Sequence, residues 1–257
     1  MNIAGNWVAF STIVRKEVIR FFRIWPQTLL PPVINQALYF IIFGTFIGSR
    51  VGNIAGVPYM AFLVPGLVMM AVINSSFANV VSSFFGAKFQ KNIEELIVSP
   101  TPNTIVIAGF VVGGMLRGII VGLIVLAISI FFTAPVITYP WIVFLFITFT
   151  SLLFSLGGLT NAIFATKFDD VSVFTTFVLT PLSYLGGVFF SIKSLPSQWQ
   201  TVAGANPILY LIDGFRYGFY GVSDVPVYTS LSVLIIMTIL LFIYNLHLLH
   251  KGVGMKN

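Results

Sequence analysis

What most constrains this chain is the recurrence, along its whole length, of apolar runs of about 20 residues. A helix of that length satisfies its own backbone hydrogen bonds and can lie in hydrocarbon, whereas an open strand or loop cannot. The charged residues that would coat a soluble domain are missing. Only 8% of the 257 residues are charged, against about 25% in a typical soluble domain. Mean hydropathy is +1.01. The expected fold class is an all-α polytopic membrane protein, with no stretch left over for a soluble domain.

The first segment, WVAFSTIVRKEVIRFFRIW at 7–25, has helical period. Trp7, Phe10, Val14, Val18, Phe21 and Trp25 share one face, and Lys16, Arg20 and Arg23 fall opposite. It reads as an interfacial amphipathic helix over 4–25, with aromatics at the headgroups and basic residues toward water. Six transmembrane helices are expected after it, near 28–48, 59–84, 104–133, 141–165, 171–191 and 227–250. Pro31 and Pro32 fit the first turn of the first span, Pro65 kinks or begins the second, and Pro181 lies inside the fifth.

Thirteen basic and seven acidic residues give a net charge of +6. With the N-terminus inside, Arg15, Lys16, Arg20, Arg23, Lys88, Lys91, Lys167, Lys251 and Lys256 face the cytoplasm, and Arg50, Lys193 and Arg216 face out. This bias predicts that both termini are cytoplasmic. It also accounts for the basic balance without nucleic acid. No cysteine is present, which excludes disulfides, thiolate metal sites and a thiol nucleophile. The N-terminus does not read as a secretory signal, because its charges follow the first apolar residues and no small-residue cleavage site appears.

Between the second and third spans, GAKFQKNIEELIV at 86–98 reads as a short amphipathic helix. Phe89, Ile93, Leu96 and Ile97 lie on one face, with Lys88, Lys91, Glu94 and Glu95 around the rest. Pro100 ends it, and Pro102 holds the next residues extended. Such a helix either rests on headgroups or docks in a cleft of a cytoplasmic partner, its acidic residues setting register. Two short outer helices, dipping into the membrane, are expected over 195–221. Pro196 opens the first, and Asn206-Pro207 caps the second. In the second, Ile208, Leu211, Ile212, Phe215 and Phe219 share a face, and Gly221 can end it.

No G-x-x-x-x-G-K-(S/T) occurs, so no nucleotide site is expected. Gly109, Gly113, Gly114, Gly118 and Gly122 sit within the third span at spacings that suit close helix packing. Arg117 lies about 20 Å into that span at 1.5 Å per residue. Its partner is a backbone carbonyl, Asn35, Gln36, Asn74, Asn79 or an anionic group of a substrate. Structural and translocation-path roles both stand. Asp213 and Arg216, i and i+3, pair within the second outer helix or across a dimer. Asp169 and Asp170 suit a helix start. His247 and His250 have no third ligand nearby, so snorkelling at the inner edge explains them better than metal.

Three stretches carry a family resemblance. KNIEELIVSPTPN resembles the "LE-x-L-L-x-(S/T)-P" element of ABC-2 type transporter permeases. PLSYLGGVFFSIKSLP (181–196) resembles the family's "P-L-x-x-L-x-G-x-F-x-P" element. NPILYLIDGFR (206–216) resembles its "N-P-x-x-Y-x-(I/V)-D-x-x-R" element. The family's usual Gly-Thr is Lys91-Asn92 here. With the amphipathic start and the six-span plan, the resemblance covers essentially the whole chain. It implies the ABC-2 exporter fold as a single domain over 1–257, a dimer forming the translocation path, and an inner-membrane location. It also implies a separate ATP-binding cassette subunit that holds ATP and Mg, leaving this chain without cofactor or catalytic residue. The stretch 86–98 would be the coupling helix, with Phe89, Lys91, Ile93, Glu94, Glu95, Leu96 and Ile97 docking and the N-terminal helix supporting it. Arg117, Asp213 and Arg216 are the candidates for the path or the dimer interface. Two other classes stay open: an ATP-independent transporter or channel, and a non-transporting assembly component. An amphipathic or lipid-like cargo, a drug-like molecule or a glycan would each suit the aromatic, charge-poor spans.

Overall fold

The computed structural model describes residues 3–54 and 56–254, with the side chains of Ser49, Glu94, Leu96 and Ile97 left outside the description. Of the basic residues that predict orientation, Lys256 lies outside the described residues. The chain begins with helix α1, Ile3–Arg23. Next comes the span α2, Trp25–Ile47, whose second half is wound as a π-helix over Phe40–Ile47. A two-residue β-pair follows, with Asn53 opposite Pro58 and Ile54 opposite Val57. Nothing in the sequence reading anticipates it.

Helix α3, Tyr59–Phe89, runs through the centre of the bundle. Some 89% of its most apolar window is buried, against 17% for α2. Pro65 sits inside α3 without ending it. The short α4, Asn92–Val98, then leads to α5, Asn103–Ser129, and α6, Pro140–Phe164. Helix α7 covers 168–185 with a π-segment at Thr175–Leu179. That segment directly precedes Pro181, which has no N–H to give a regular ladder, and the Thr180 hydroxyl turns back to the Thr175 carbonyl at 2.9 Å. Two shorter helices follow, α8, Ser197–Gly204, and α9, Pro207–Tyr220, and the last long apolar helix is α10, Val227–Lys251.

Five helices among the described residues are long and apolar enough to cross a membrane: α2, α3, α5, α6 and α10. The stretch expected as a fifth span to residue 191 is α7, which ends at Leu185. Gly186 and Gly187 stop it, Gly187 with φ 81. Its first turn carries Asp169 and Asp170.

Two apolar clusters hold the bundle. One surrounds α3 and includes Phe62, Leu67, Phe77, Phe146, Phe215 and Phe219. The other gathers Phe84, Phe85, Ile107, Phe110, Leu156 and Leu248 near the end of the bundle that carries α4. Gly114, Gly118 and Gly122 of α5 let α3 and α6 approach. A Cβ at Gly114 would lie 2.5 Å from both Ser155 Oγ and Val80 Cγ2. Helix α9 starts and stops where its caps predict, with Asn206 accepting from the Ile208 amide at 3.0 Å and Gly221 left-handed at φ 68.

Helix α1 packs one edge of its apolar face into the bundle. Ile13, Glu17 and Phe21 are buried, whereas Trp7 of α1 and Trp25 at the start of α2 are exposed. The cause is α5, where Gly109 and Gly113 leave hollows. A Cβ at Gly109 would lie 2.6 Å from Ile13 Cγ2, and one at Gly113 would lie 2.5 Å from Glu17 Cβ. The closest helix approach, and not the mean polarity of a face, sets the rotation of α1.

Candidate functional site

Helix α3 continues to Phe89, and the chain turns at Gln90 and Lys91. Lys91 has φ 61, the one positive value at a non-glycine residue among those described. A left-handed residue with a Cβ costs about 1–2 kcal/mol. The helix expected over 86–98 is therefore divided: 86–89 belongs to α3, and α4 begins at Asn92. Phe89 and Ile93 do not share a face as one continuous helix would require. Phe89 is exposed and packs edge-on against Phe168 at 4.8 Å between ring centres. Ile93 is turned inward and buried. Glu95 and Lys91 face outward, as does Val98, which is 85% exposed. The Glu94, Leu96 and Ile97 side chains lie outside the described residues.

Beside α4 lies a cleft of about 550 Å³, lined by Thr12 and Lys16 of α1, Asn92 and Glu95 of α4, and Thr101 and Phe110. Lys88 does not join this surface. Its ammonium donates to the Ile163 and Ala165 carbonyls, both at 2.8 Å, and so caps the end of α6 from a neighbouring helix. Asp170 performs the capping expected at the start of α7. It accepts from the Thr166 amide and hydroxyl at 2.8 Å and the Lys167 amide at 2.9 Å. The Thr166 amide above all holds its carboxyl below the usual range.

Sequence reasoning missed Glu17. Its carboxylate is fully buried and takes hydrogen bonds from Arg20 Nη2 at 3.1 Å and from the Ser83 hydroxyl. Arg20 reaches further to Asn79, donating to its carbonyl at 3.0 Å and its side-chain oxygen at 2.9 Å. One signal was available: Glu17 stands three residues before Arg20 as the lone acid in a basic helix. Its partners on α3, more than sixty residues away, left no local trace.

Arg117 is buried and donates to the Thr28 carbonyl at 2.8 Å, while its Nε has no partner. Among the partners open to it from sequence, the structure shows a backbone carbonyl. At the opposite end of the bundle, Asp213 and Arg216 are buried together, with Arg216 Nη1 3.8 Å from Asp213 Oδ1. Asp213 also accepts from the Asp224 and Val225 amides at 2.9 and 2.8 Å. Arg216 donates to the Gly187 carbonyl at 2.6 Å and lies 3.9 Å from the Phe62 ring centre. Burial pushes the Asp213 carboxyl up and the Arg216 guanidinium down, so desolvation outweighs their mutual attraction. The cluster ties the segments before α8 and after α9 onto α9. Arg117 and the Asp213–Arg216 pair are thus far apart in the bundle and form no common site. An apolar cavity of about 420 Å³ opens between α6, α7 and α10, walled by Phe77, Phe174, Val178, Met237 and Leu241, with Thr160 and Asn161 as polar groups.

Residues 8–220 match the family model described as ABC-2 type transporter. The chain is 54% identical over 252 residues to the inner membrane transport permease YadH of Escherichia coli K12, covering 98% of each protein. It is 23% identical over 252 residues to nodulation protein J of Rhizobium leguminosarum bv. viciae, covering 96% of this chain and 94% of that protein. It is 24% identical over 251 residues to nodulation protein J of Neorhizobium galegae.

Proposed function

The chain belongs to the ABC-2 type transporter family, as a membrane permease, and from that premise we propose that it is the transmembrane subunit of an ATP-driven exporter. It works as a homodimer in the cytoplasmic membrane, with both termini in the cytoplasm. A separate ATP-binding cassette subunit supplies ATP and Mg, since this chain carries no phosphate-binding glycine loop. The observation that carries the reading is α4. A seven-residue helix with outward Glu95 and Val98 stands at the join of two long membrane helices, beside an open cleft of mixed polar and apolar lining. Phe89 and Val98 stand exposed among Lys91 and Glu95, a mixed apolar and charged surface that suits contact with a partner. Movement of a docked subunit would reach α3 and α5 directly, because α4 joins their ends. Among the docking residues, Phe89, Lys91 and Glu95 would make contact and Ile93 would anchor the helix; Glu94, Leu96 and Ile97 remain in the proposed docking set on sequence grounds.

Co-purification tests this. The tagged chain, solubilised gently from its native membrane, is expected to bring down an ATP-binding cassette subunit. The double variant Glu94→Lys, Glu95→Lys is expected to lose that subunit and keep its own dimer. If the native chain retains its dimer and brings down no such subunit, the docking role fails, and an ATP-independent channel or an assembly component takes its place.

A further inference from the structure

A buried carboxylate on the N-terminal helix is held by three elements at once. Glu17 is 0% exposed and lies in the hollow left by Gly113 of α5. One turn earlier, Ile13 fills the hollow left by Gly109. The Glu17 carboxylate binds Arg20 on its own helix and Ser83 on α3. Arg20 carries the link on to Asn79, and its Nη1 lies 3.4 Å from the Ser82 hydroxyl. Residues 79–83 are the last turns of α3 before α4, and Gly109 and Gly113 lie in the first turns of α5 after it. Helix α1 is therefore fastened to both arms of the hairpin whose tip is α4.

Burying an ion pair is a poor way to gain stability, since well-packed apolar residues of similar volume do as well or better. Its distinctive effect is on register. Arg20 moves with Glu17 because both lie on α1, but any rotation or slide of α1 takes the pair away from Ser83 and Asn79, so that a buried carboxylate loses its hydroxyl donor and the guanidinium loses its acceptors on α3.

We infer that Glu17 is a positioning residue: with Arg20, Asn79 and Ser83 it pins α1 in one register on the α3–α5 hairpin, so that α1 and α4 move as a single body. This rests on the reading of α4 as the docking helix, but the pin is a property of the permease alone and can be tested without its partner.

The chain has no cysteine, so Ser11→Cys on α1 and Asn92→Cys on α4 give a specific spin-label pair. In the detergent-solubilised permease, the native background is expected to give one narrow distance distribution. With Glu17→Leu, which keeps the volume and removes the charge, the distribution is expected to broaden at least twofold while the protein stays monodisperse. Should the leucine variant not be recovered, Glu17→Gln and Arg20→Gln take its place, each expected to broaden the distribution. A native width in the recovered variants would overturn the pin. In a second arm, the complex with the ATP-binding cassette subunit is compared without nucleotide and with ATP trapped. The 11–92 distance is expected to stay fixed in the native chain, and a change on ATP binding would overturn the single-body inference. Failure to form that complex would count against the docking reading, and the first arm would still decide the pin.

Discussion

At the scale of single residues, buried charge decides the outcomes. Asp213 answers two backbone amides and Arg216 together. Asp213→Ala would strand all three, and is expected to cost about 3–5 kcal/mol, read as a fall in the thermal unfolding midpoint of the solubilised protein. Asp170 has the opposite character, since it is a surface cap. Its carboxyl is held low, so its contribution is present at neutral pH. That contribution is lost only as the pH falls below the ordinary carboxylate value of about 3.9. Asp170→Ala is expected to speed amide exchange at Thr166 and Lys167, leaving the rest of the bundle unchanged. The sequence made Asp170 legible, because a cap is a local device. It did not make Glu17 legible, because burial of that carboxylate depends on two glycines of α5 and three residues of α3 that no helical wheel of α1 contains.

At the scale of elements, the helix α9 was readable in full. Asn206, Pro207, Gly221 and a five-residue apolar face are all signals within one segment, and each took its expected place. The division of 86–98 was not readable. Lys91 adopts a left-handed backbone that its side chain gives no reason to choose. The turn follows directly on the last residues of α3, where Lys88 meets the Ile163 and Ala165 carbonyls at the end of α6. Glycines separate into two classes at this scale. A Cβ at Gly158 of α6 would lie 2.5 Å from the Phe77 carbonyl oxygen, a backbone atom that cannot step aside. Gly158→Ala is expected to destabilise by about 1–3 kcal/mol. Gly86 of α3 has nothing within 4 Å of the same position, so Gly86→Ala is expected to stabilise by about 0.5–1 kcal/mol through backbone entropy. Thermal unfolding of the two variants side by side checks both signs.

At the scale of the whole molecule, the segments sort to two ends. Helix α4, Lys167 and Gly252 lie at one, and the β-pair, α8 and α9 at the other. The proposed orientation, which follows the charge bias, puts the first in the cytoplasm. In the cysteine-free chain this is a direct experiment: Lys167→Cys and Gly252→Cys are expected to resist a membrane-impermeant thiol reagent in intact cells, and Gln198→Cys to react. Labelling of the first two in intact cells would reverse the orientation. Helix α5 has a consequence for how such a body can move. Gly109 and Gly113 receive side chains of α1, while Gly114, Gly118 and Gly122 receive those of α3 and α6. The two rows lie roughly 160° apart around the helix axis at 3.6 residues per turn. A cylinder keyed on opposite sides can tilt or translate with its neighbours, but it cannot roll without lifting both rows out of their seats. Of the three rotational degrees of freedom open to a rod, α5 retains two, and a push at its α4 end arrives at the far end as displacement and not as twist.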